Sequence, residues 1–325
     1  MQDSKVLYLS RADVAKVNLP MPAVIDAVAF ALTEKAHGRS TMPPKHWLQT
    51  SEHRFFSAMT CAVSAANSVV CKWQSGSADN AALGLSYLTG MLMLNDLATG
   101  LTVAVMDSTW ITGKRTAAAS AVAARHLAPV GVKVLAIIGC GIQGRLHIEA
   151  LRVVCPGITV IRAYDIDTRR LDAYANEMAA KHGIEVIRCS GPQQAASRAD
   201  IVVTGCPIEP NAVRRMEPGW LAPGKLGIAI DYDCYWKPAA IRAADLLFTD
   251  DVEQMKHLKD YGYFVEATDQ ATELGSVVAG LKPGRHSVQE TVLVMNMGIA
   301  VEDVVVAQRI YEEARRSSIG IWLEL

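Results

Sequence analysis

The sequence predicts an α/β protein: a doubly wound parallel sheet joined to a separate α+β part. Three observations predict it. A short apolar run without alternation, Val134-Leu135-Ala136-Ile137-Ile138, reads as a strand buried on both faces. It leads through Gly139-Cys140-Gly141-Ile142-Gln143-Gly144 into Leu146, Ile148, Leu151 and Val154, which have helical spacing. From Lys133 onward, strand and helix patterns alternate, whereas residues 41–107 hold closely spaced strands joined by turns.

Strand, Gly-x-Gly-x-x-Gly and helix, in that order, are the setting in which the glycines mean dinucleotide binding. Gly139 makes the tight turn, and Gly141 lets the backbone approach a pyrophosphate seated on the amides where Ile142 and Gln143 open the helix. Gly144 allows close packing of helix on strand. A second strand, Thr159–Tyr164, ends in Asp165, 21 residues beyond Gly144, about where a ribose-binding carboxylate belongs. That acid favours NAD(H), because it would repel the 2′-phosphate of NADP(H). Arg169 and Arg170 read as the solvated face of the following helix.

Taken in order, residues 1–40 read as an opening strand and two helices. Ser10-Arg11-Ala12-Asp13 has the form of a capping box. Pro22 suits the first turn of the second helix, which has Val24, Val28, Ala31 and Leu32 on one face and Gly38 as its stop. Strands are then expected at Phe55–Met59, Ser68–Trp73, Leu85–Leu88, Met91–Leu94 and Leu101–Met106, with turn residues Asn95–Gly100 before the last. Thr109–His126 is an alanine-rich helix bridging two domains. Beyond Asp165 come a helix over Thr168–His182, a strand at Glu185–Arg188, a short helix over Gln193–Ala199, and strands at Ile201–Thr204, Leu226–Ile230, Asp245–Phe248 and Thr291–Met295. These make a sheet of six or seven strands, and the long helix ending near Arg316 returns to the N-terminal part.

With 325 residues, two domains are the natural expectation. Half the residues are hydrophobic and the net charge is −1, which points to a substantial core and away from nucleic acid. No apolar stretch is long enough to span a membrane. The first residues lack the basic start and apolar core of a signal peptide. Seven scattered cysteines, with no Cys-x-x-Cys pair, read as reduced thiols rather than a disulfide framework, so a cytoplasmic setting is expected. The eight histidines show no metal-ligand spacing, and no metal is expected.

Ligands of open α/β sheets sit at the carboxyl ends of the strands. That rule selects Thr204 and the Asp231-Tyr232-Asp233 loop. An aspartate there can move a proton at a substrate nitrogen or orient a water, or it can cap the helix that begins near Pro238; spacing leaves both open. Cations that suit a carboxylate substrate are Lys45, Lys72, and Lys114 with Arg115. Lys72 stands out because it interrupts the apolar strand Val69–Trp73, where a charge is costly unless it pairs or faces a polar cleft. Arg115 is followed by Thr116 near the start of the alanine-rich helix.

The sequence resembles the ornithine cyclodeaminase/mu-crystallin family along nearly its whole length. The resemblance is carried by Pro43-Pro44-Lys45, Cys71-Lys72-Trp73, Leu92–Asp96 through Gly100, Thr112–Ala118, Gly139–Gly144, Tyr164-Asp165, Asp233–Lys237, Glu273–Gly280 and Gly298–Asp303. It implies a homodimer with a substrate and dimerisation domain of residues 1–117 and 296–325, and an NAD-binding Rossmann domain of residues 118–295. It also implies that Lys45, Lys72 and Arg115 bind a substrate carboxylate, that Thr116 lies where cofactor meets substrate, and that Asp233 is the catalytic aspartate. Lys72 joins Asp233 among the expected catalytic residues. Thr116, Gly139, Gly141, Ile142, Gln143, Gly144, Asp165 and Thr204 are the expected cofactor contacts.

The expected reaction is NAD(H)-dependent oxidoreduction of an L-amino acid and its imino acid, with hydride transfer at the α-carbon. A cyclodeaminase that uses NAD catalytically, and a crystallin-like binding protein without turnover, are the alternatives the family offers. Three departures from the family pattern bear on the substrate. Lys45 replaces the usual arginine, giving a point charge instead of a bidentate grip. Tyr235 and Trp236 stand where a small Pro-Gly pair is common, implying a pocket that is smaller or of different shape. No acidic residue lies between His53 and Lys72 to hold a side-chain amine, which disfavours ornithine.

Overall fold

The chain opens as strand β1 (Lys5–Leu9), and Ser10 then caps helix α1 (Arg11–Val17). The expected capping box forms: the Asp13 amide donates to the Ser10 hydroxyl oxygen, and the Ser10 amide donates back to the Asp13 carboxylate. Helix α2 (Met21–Ala36) follows, with Pro22 in its first turn and Gly38 at φ +70° beyond its end. Six strands come next: β2 (Ser40–Thr41), β3 (His46–Ser51), β4 (Arg54–Val63), β5 (Ser68–Ser77), β6 (Leu88–Asp96) and β7 (Thr102–Asp107). Helix α3 (Thr109–Leu127) leads to β8 (Val134–Ile138), α4 (Ile142–Val154), β9 (Val160–Tyr164), α5 (Thr168–His182), β10 (Glu185–Arg188), α6 (Pro192–Ala196), β11 (Ile201–Thr204) and β12 (Leu226–Ala229). The remainder is α7 (Pro238–Arg242), β13 (Leu246–Thr249), α8 (Val252–Leu258), β14 (Thr272–Glu273), α9 (Leu274–Val278), β15 (Val292–Met295), α10 (Ala300–Arg316) and β16 (Ile321–Glu324).

This computed structural model describes residues 5–51, 53–209, 211–266 and 270–324. The chain forms two units, Met1–Arg115 with Ile299–Leu325, and Thr116–Gly298. The first is a mixed eight-stranded sheet in the order β16-β1-β7-β6-β5-β4-β2, with β3 beside β4. Among the described residues, only β1 and β7 pair in parallel in this sheet. Helix α10 packs on α2 and on β4 and β5. Alternation along the strands gives one buried face, where Met59, Lys72, Leu92 and Met106 stand in register across four strands. Strand β6 is a single strand where two were expected. Gly90 permits it, because a Cβ there would meet the Trp73 carbonyl oxygen at 2.4 Å. Strand β16 was not foreseen; it extends the sheet by antiparallel pairing with β1.

The second unit is a wholly parallel eight-stranded sheet in the order β10-β9-β8-β11-β12-β15-β13-β14. Strand order reverses at β8, between β9 and β11, which is the topological switch point of a doubly wound fold. The two-residue strand β14 is one more than the six or seven strands expected. Helix α5 has the expected bounds: Asp167 accepts from the Arg169 and Arg170 amides at its start, and Gly183 ends it at φ +61°.

Candidate active site

In the first unit the anomalous lysine is paired. Alternation along β5 turns Lys72 to the buried face, and its Nζ lies 2.6 Å from Asp303 Oδ2. It also donates to Thr112 Oγ1 at 3.4 Å. Arg115 donates from Nε to Asp303 Oδ1 and from Nη1 to Glu302 Oε2, both at 3.1 Å. Glu302 and Asp303 fall in the first turn of α10, where the helix dipole favours negative charge. Lys72 and both acids are fully buried, and Arg115 and Lys45 are nearly so. Burial draws the Lys72 ammonium down to about 8; Asp303 opposes that fall, and Arg115 and Lys45 add to it. Lys114 has another surrounding, its Nζ 5.7 Å from the centroid of the Trp110 ring.

In the second unit the glycines hold the turn between β8 and α4. Gly139 has φ +104°, and a Cβ there would meet the Gly205 carbonyl oxygen at 2.4 Å. At Gly144 a Cβ would meet the Gly139 carbonyl oxygen at 2.7 Å. Among the described residues, a Cβ at Gly141 would meet nothing within 4 Å, and no side chain caps the start of α4 at Ile142 and Gln143. Behind this turn, buried His147 binds the Gln143 carbonyl through Nδ1, so its Nε2 accepts from Ser120 Oγ at 2.9 Å. The Thr116 carbonyl, 3.3 Å from Ser120 Oγ, is a second and more distant acceptor for the same hydroxyl proton. Asp165 accepts the Cys140 amide on Oδ2 and the Asp167 amide on Oδ1. Arg169 is solvated as expected, but Arg170 is not wholly so: its Nη1 lies 3.6 Å from Asp165 Oδ1.

The strand-end residues divide by role. Thr204 is fully buried, donates to Asp231 Oδ1 at 3.0 Å and accepts from Trp236 Nε1 at 2.9 Å. Its proton is thus committed inside the protein, and Thr204 supports the Asp231 loop rather than presenting a free hydroxyl. Asp231 also accepts the Cys206 amide at 3.0 Å, and burial pushes its carboxyl up to about 6. Tyr232, at φ +57°, reverses the chain. Asp233 follows, its Oδ2 held by Arg214 Nη2 at 2.8 Å. The other oxygen, Oδ1, is buried without a hydrogen-bond partner among the described residues. Tyr235 and Trp236 belong to this unit's core, so the bulk at these positions is spent on packing.

Asn296, at the end of β15, is 2 % exposed, and neither atom of its amide has a hydrogen-bond partner among the described residues. At the carboxyl end of a sheet strand, such an amide is available to a ligand. The open space at Gly141, the uncapped start of α4, the accepting capacity left on Asp165 and the amide of Asn296 together fit a dinucleotide. Among the described residues, no group of three or more His, Cys, Asp or Glu could hold a metal ion.

Sequence reasoning missed Asn296, Arg214, Glu302 and Asp303 as site residues. The strand-end rule that selected Thr204 reaches Asn296 as well. For Arg214 no local signal exists. Glu302 and Asp303 stood in a family motif without an assigned task.

The ornithine cyclodeaminase/mu-crystallin family model matches residues 5–318. The chain belongs to this family. Its relatives include an alanine dehydrogenase of Archaeoglobus fulgidus, 31 % identical, the match covering 97 % of each chain. Among solved structures, a Δ1-pyrroline-2-carboxylate reductase of Thermococcus litoralis in complex with NADH and L-proline is 28 % identical. It superposes with a TM-score of 0.85, covering 97 % of this chain and 99 % of that one. An archaeal alanine dehydrogenase dimer with bound NAD is also 28 % identical, with a TM-score of 0.87 over 98 % and 99 % of the two chains. Each spans essentially the whole of this family member, so the likeness is not confined to the nucleotide-binding half.

Proposed function

We propose that this protein is an NAD(H)-dependent oxidoreductase that interconverts an L-amino acid and its imino acid at the α-carbon. The observation that carries the reading is the Asp233 carboxylate: one oxygen is held by Arg214, and the other is buried and unpartnered in a unit built for a dinucleotide. Relatives named for alanine and pyrroline-2-carboxylate chemistry support it. Bound NAD(H) would accept or donate the hydride.

The chain's own residues do the rest. Lys72 and Arg115, with Lys45, bind the acid's carboxylate. Asp233 takes a proton from the substrate nitrogen, or from water, as the amino acid is oxidised, and returns it in reduction. Gly139, Gly141 and Gly144 shape the pyrophosphate turn, Ile142 and Gln143 offer amides to it, and Asp165 reads the ribose. Thr116 opens the second unit next in sequence to Arg115 and completes the cofactor contacts. Residues near 1–117 and 296–325 form the substrate and dimerisation domain, and residues near 118–295 the NAD domain.

We further infer a homodimer. The outer face of β3, β5 and β6 exposes Leu48, Trp73, Met91 and Met93, and Phe56 stacks on Trp73 at 5.6 Å. An apolar sheet face of this kind suits a second copy of the chain, and one of the structural relatives is a dimer. Seven unpaired cysteines fit a reducing, cytoplasmic setting.

The test is a panel of L-amino acids with NAD+, reading NADH absorbance and ammonia in the same wells, and the reverse panel of cyclic imines with NADH. NADH formed on one amino acid, or consumed on one imine, is expected. Ammonia without NADH would make the protein a cyclodeaminase, and silence in both directions would favour a binding protein.

A further inference from the structure

The buried charge cluster of the first unit contains an acid to which the proposed chemistry gives no task. Asp303 faces Lys72 with one oxygen and Arg115 with the other, at 2.6 Å and 3.1 Å. Arg115 has a second carboxylate, Glu302, on the preceding residue. Lys72 is set among Met59, Leu92 and Met106, where an ammonium without a counter-charge sheds its proton. Its ammonium is ion-paired with Asp303 and donates to Thr112, and with three N–H groups it retains donor capacity for a ligand.

We propose that Asp303 is the positioning residue of the substrate-carboxylate grip: by bridging Lys72 and Arg115 it fixes the aim of both cations and keeps Lys72 charged where the enzyme works. This rests on the reading in which Lys72 and Arg115 take the substrate carboxylate. Among the described residues, the groups that face Lys72 are Asp303 of α10, Thr112 and Arg115 of α3, and Lys45 from the segment before β3. Cys61 of β4 faces Asp303 as a thiol, its acidity suppressed by burial and by that acid. Burial, Arg115 and Lys45 all favour neutral Lys72, and Asp303 opposes them. An amide at position 303 would therefore leave Lys72 neutral at a pH where the native protein keeps it charged.

The experiment is calorimetric binding of pyrrole-2-carboxylate, a monocarboxylate without a titrating amine, to the NADH-loaded full chain across the neutral and alkaline range. In the native protein affinity should hold to about pH 8 and then fall. In Asp303→Asn the fall should begin at lower pH, leaving binding near pH 8 about tenfold weaker. Asp303→Glu keeps the charge but moves the bridge by one methylene. It should restore the pH at which affinity falls while binding several-fold more weakly than the native protein. NADH affinity and thermal unfolding of each variant report on folding.

An Asp303→Asn profile that falls at the native pH overturns the proposal, whatever its absolute affinity. Should Asp303→Asn not fold, native affinity in Asp303→Glu overturns it instead. Lys72→Met separates the two levels. If it binds as tightly as the native protein, or if the native protein does not bind, the carboxylate grip itself is wrong. If Lys72→Met loses binding while Asp303→Asn keeps the native profile, only the role given to Asp303 is wrong.

Discussion

Replacing Gly141 by alanine should separate cofactor binding from folding. The Gly141 backbone has φ −81° and ψ −159°, an extended conformation open to any residue. Two small effects on stability oppose each other. Alanine reduces the freedom of the unfolded chain, a gain of about 0.4–1 kcal/mol. Gly141 is also the N-cap of α4, where alanine is worse than glycine by about 0.5–1 kcal/mol. With no atom of the described residues within 4 Å of the new methyl group, the net change is within about 1 kcal/mol. The cofactor is affected differently, because the methyl group occupies the space through which a pyrophosphate reaches the amides of α4. A loss of about 1.4–2.8 kcal/mol, ten- to a hundredfold in NADH affinity, is expected. Gly139→Ala is the contrast: at φ +104° and 2.4 Å from a carbonyl oxygen, it should lose about 1–3 kcal/mol of stability to backbone strain, with the clash added. NADH fluorescence titration and urea unfolding on the same samples decide the matter. A folded Gly141→Ala protein that binds NADH within about twofold of the native protein would refute the placement of the dinucleotide.

Other outcomes follow from the same geometry. Asp233→Asn should bind NADH normally and lose about 10²–10⁴-fold in kcat, measured by steady-state kinetics; retained turnover would remove its proton-transfer role. Two buried groups should pull stability in opposite directions in acid. His147, drawn down to about 4 by burial, is neutral in the fold, so unfolding takes up a proton and stability is lost as pH falls from about 6.5 towards 4. Asp231, raised to about 6, has the reverse sign: its burial penalty is absent near pH 4 and grows as pH rises to about 6, up to about 3 kcal/mol. Asp231→Asn should therefore steepen the acid loss of stability in urea unfolding, and a loss no steeper than that of the native protein would contradict the sign. Trp73→Glu, on the exposed sheet face, should shift light-scattering mass to the monomer with NADH affinity kept.

What could be read from the sequence was what is local. The β8 run, the glycines and Asp165 lie within a single strand–helix–strand unit, so their spacing carried the meaning. Lys72 was legible as an anomaly because an ammonium in an apolar strand is costly. Its remedy was not, since the acid that pairs with it lies 188 residues beyond Arg115, the other cation that this acid binds. Thr204 was placed correctly at a strand end, yet its hydroxyl turned inward because Trp236 and Asp231, distant in sequence, claim it. Strand β6 was split in the reading because Gly90 looks like punctuation, whereas it marks the close approach of the Trp73 backbone.

The most direct test of the central claim is the transfer of deuterium from a panel of α-deuterated L-amino acids to NAD+, followed by mass spectrometry of the dinucleotide. One member of the panel is expected to deliver its deuterium to NADH, with the transfer lost in Asp233→Asn. Ammonia release without labelled NADH, or no transfer from any member in either direction, would contradict hydride transfer at the α-carbon as this protein's reaction.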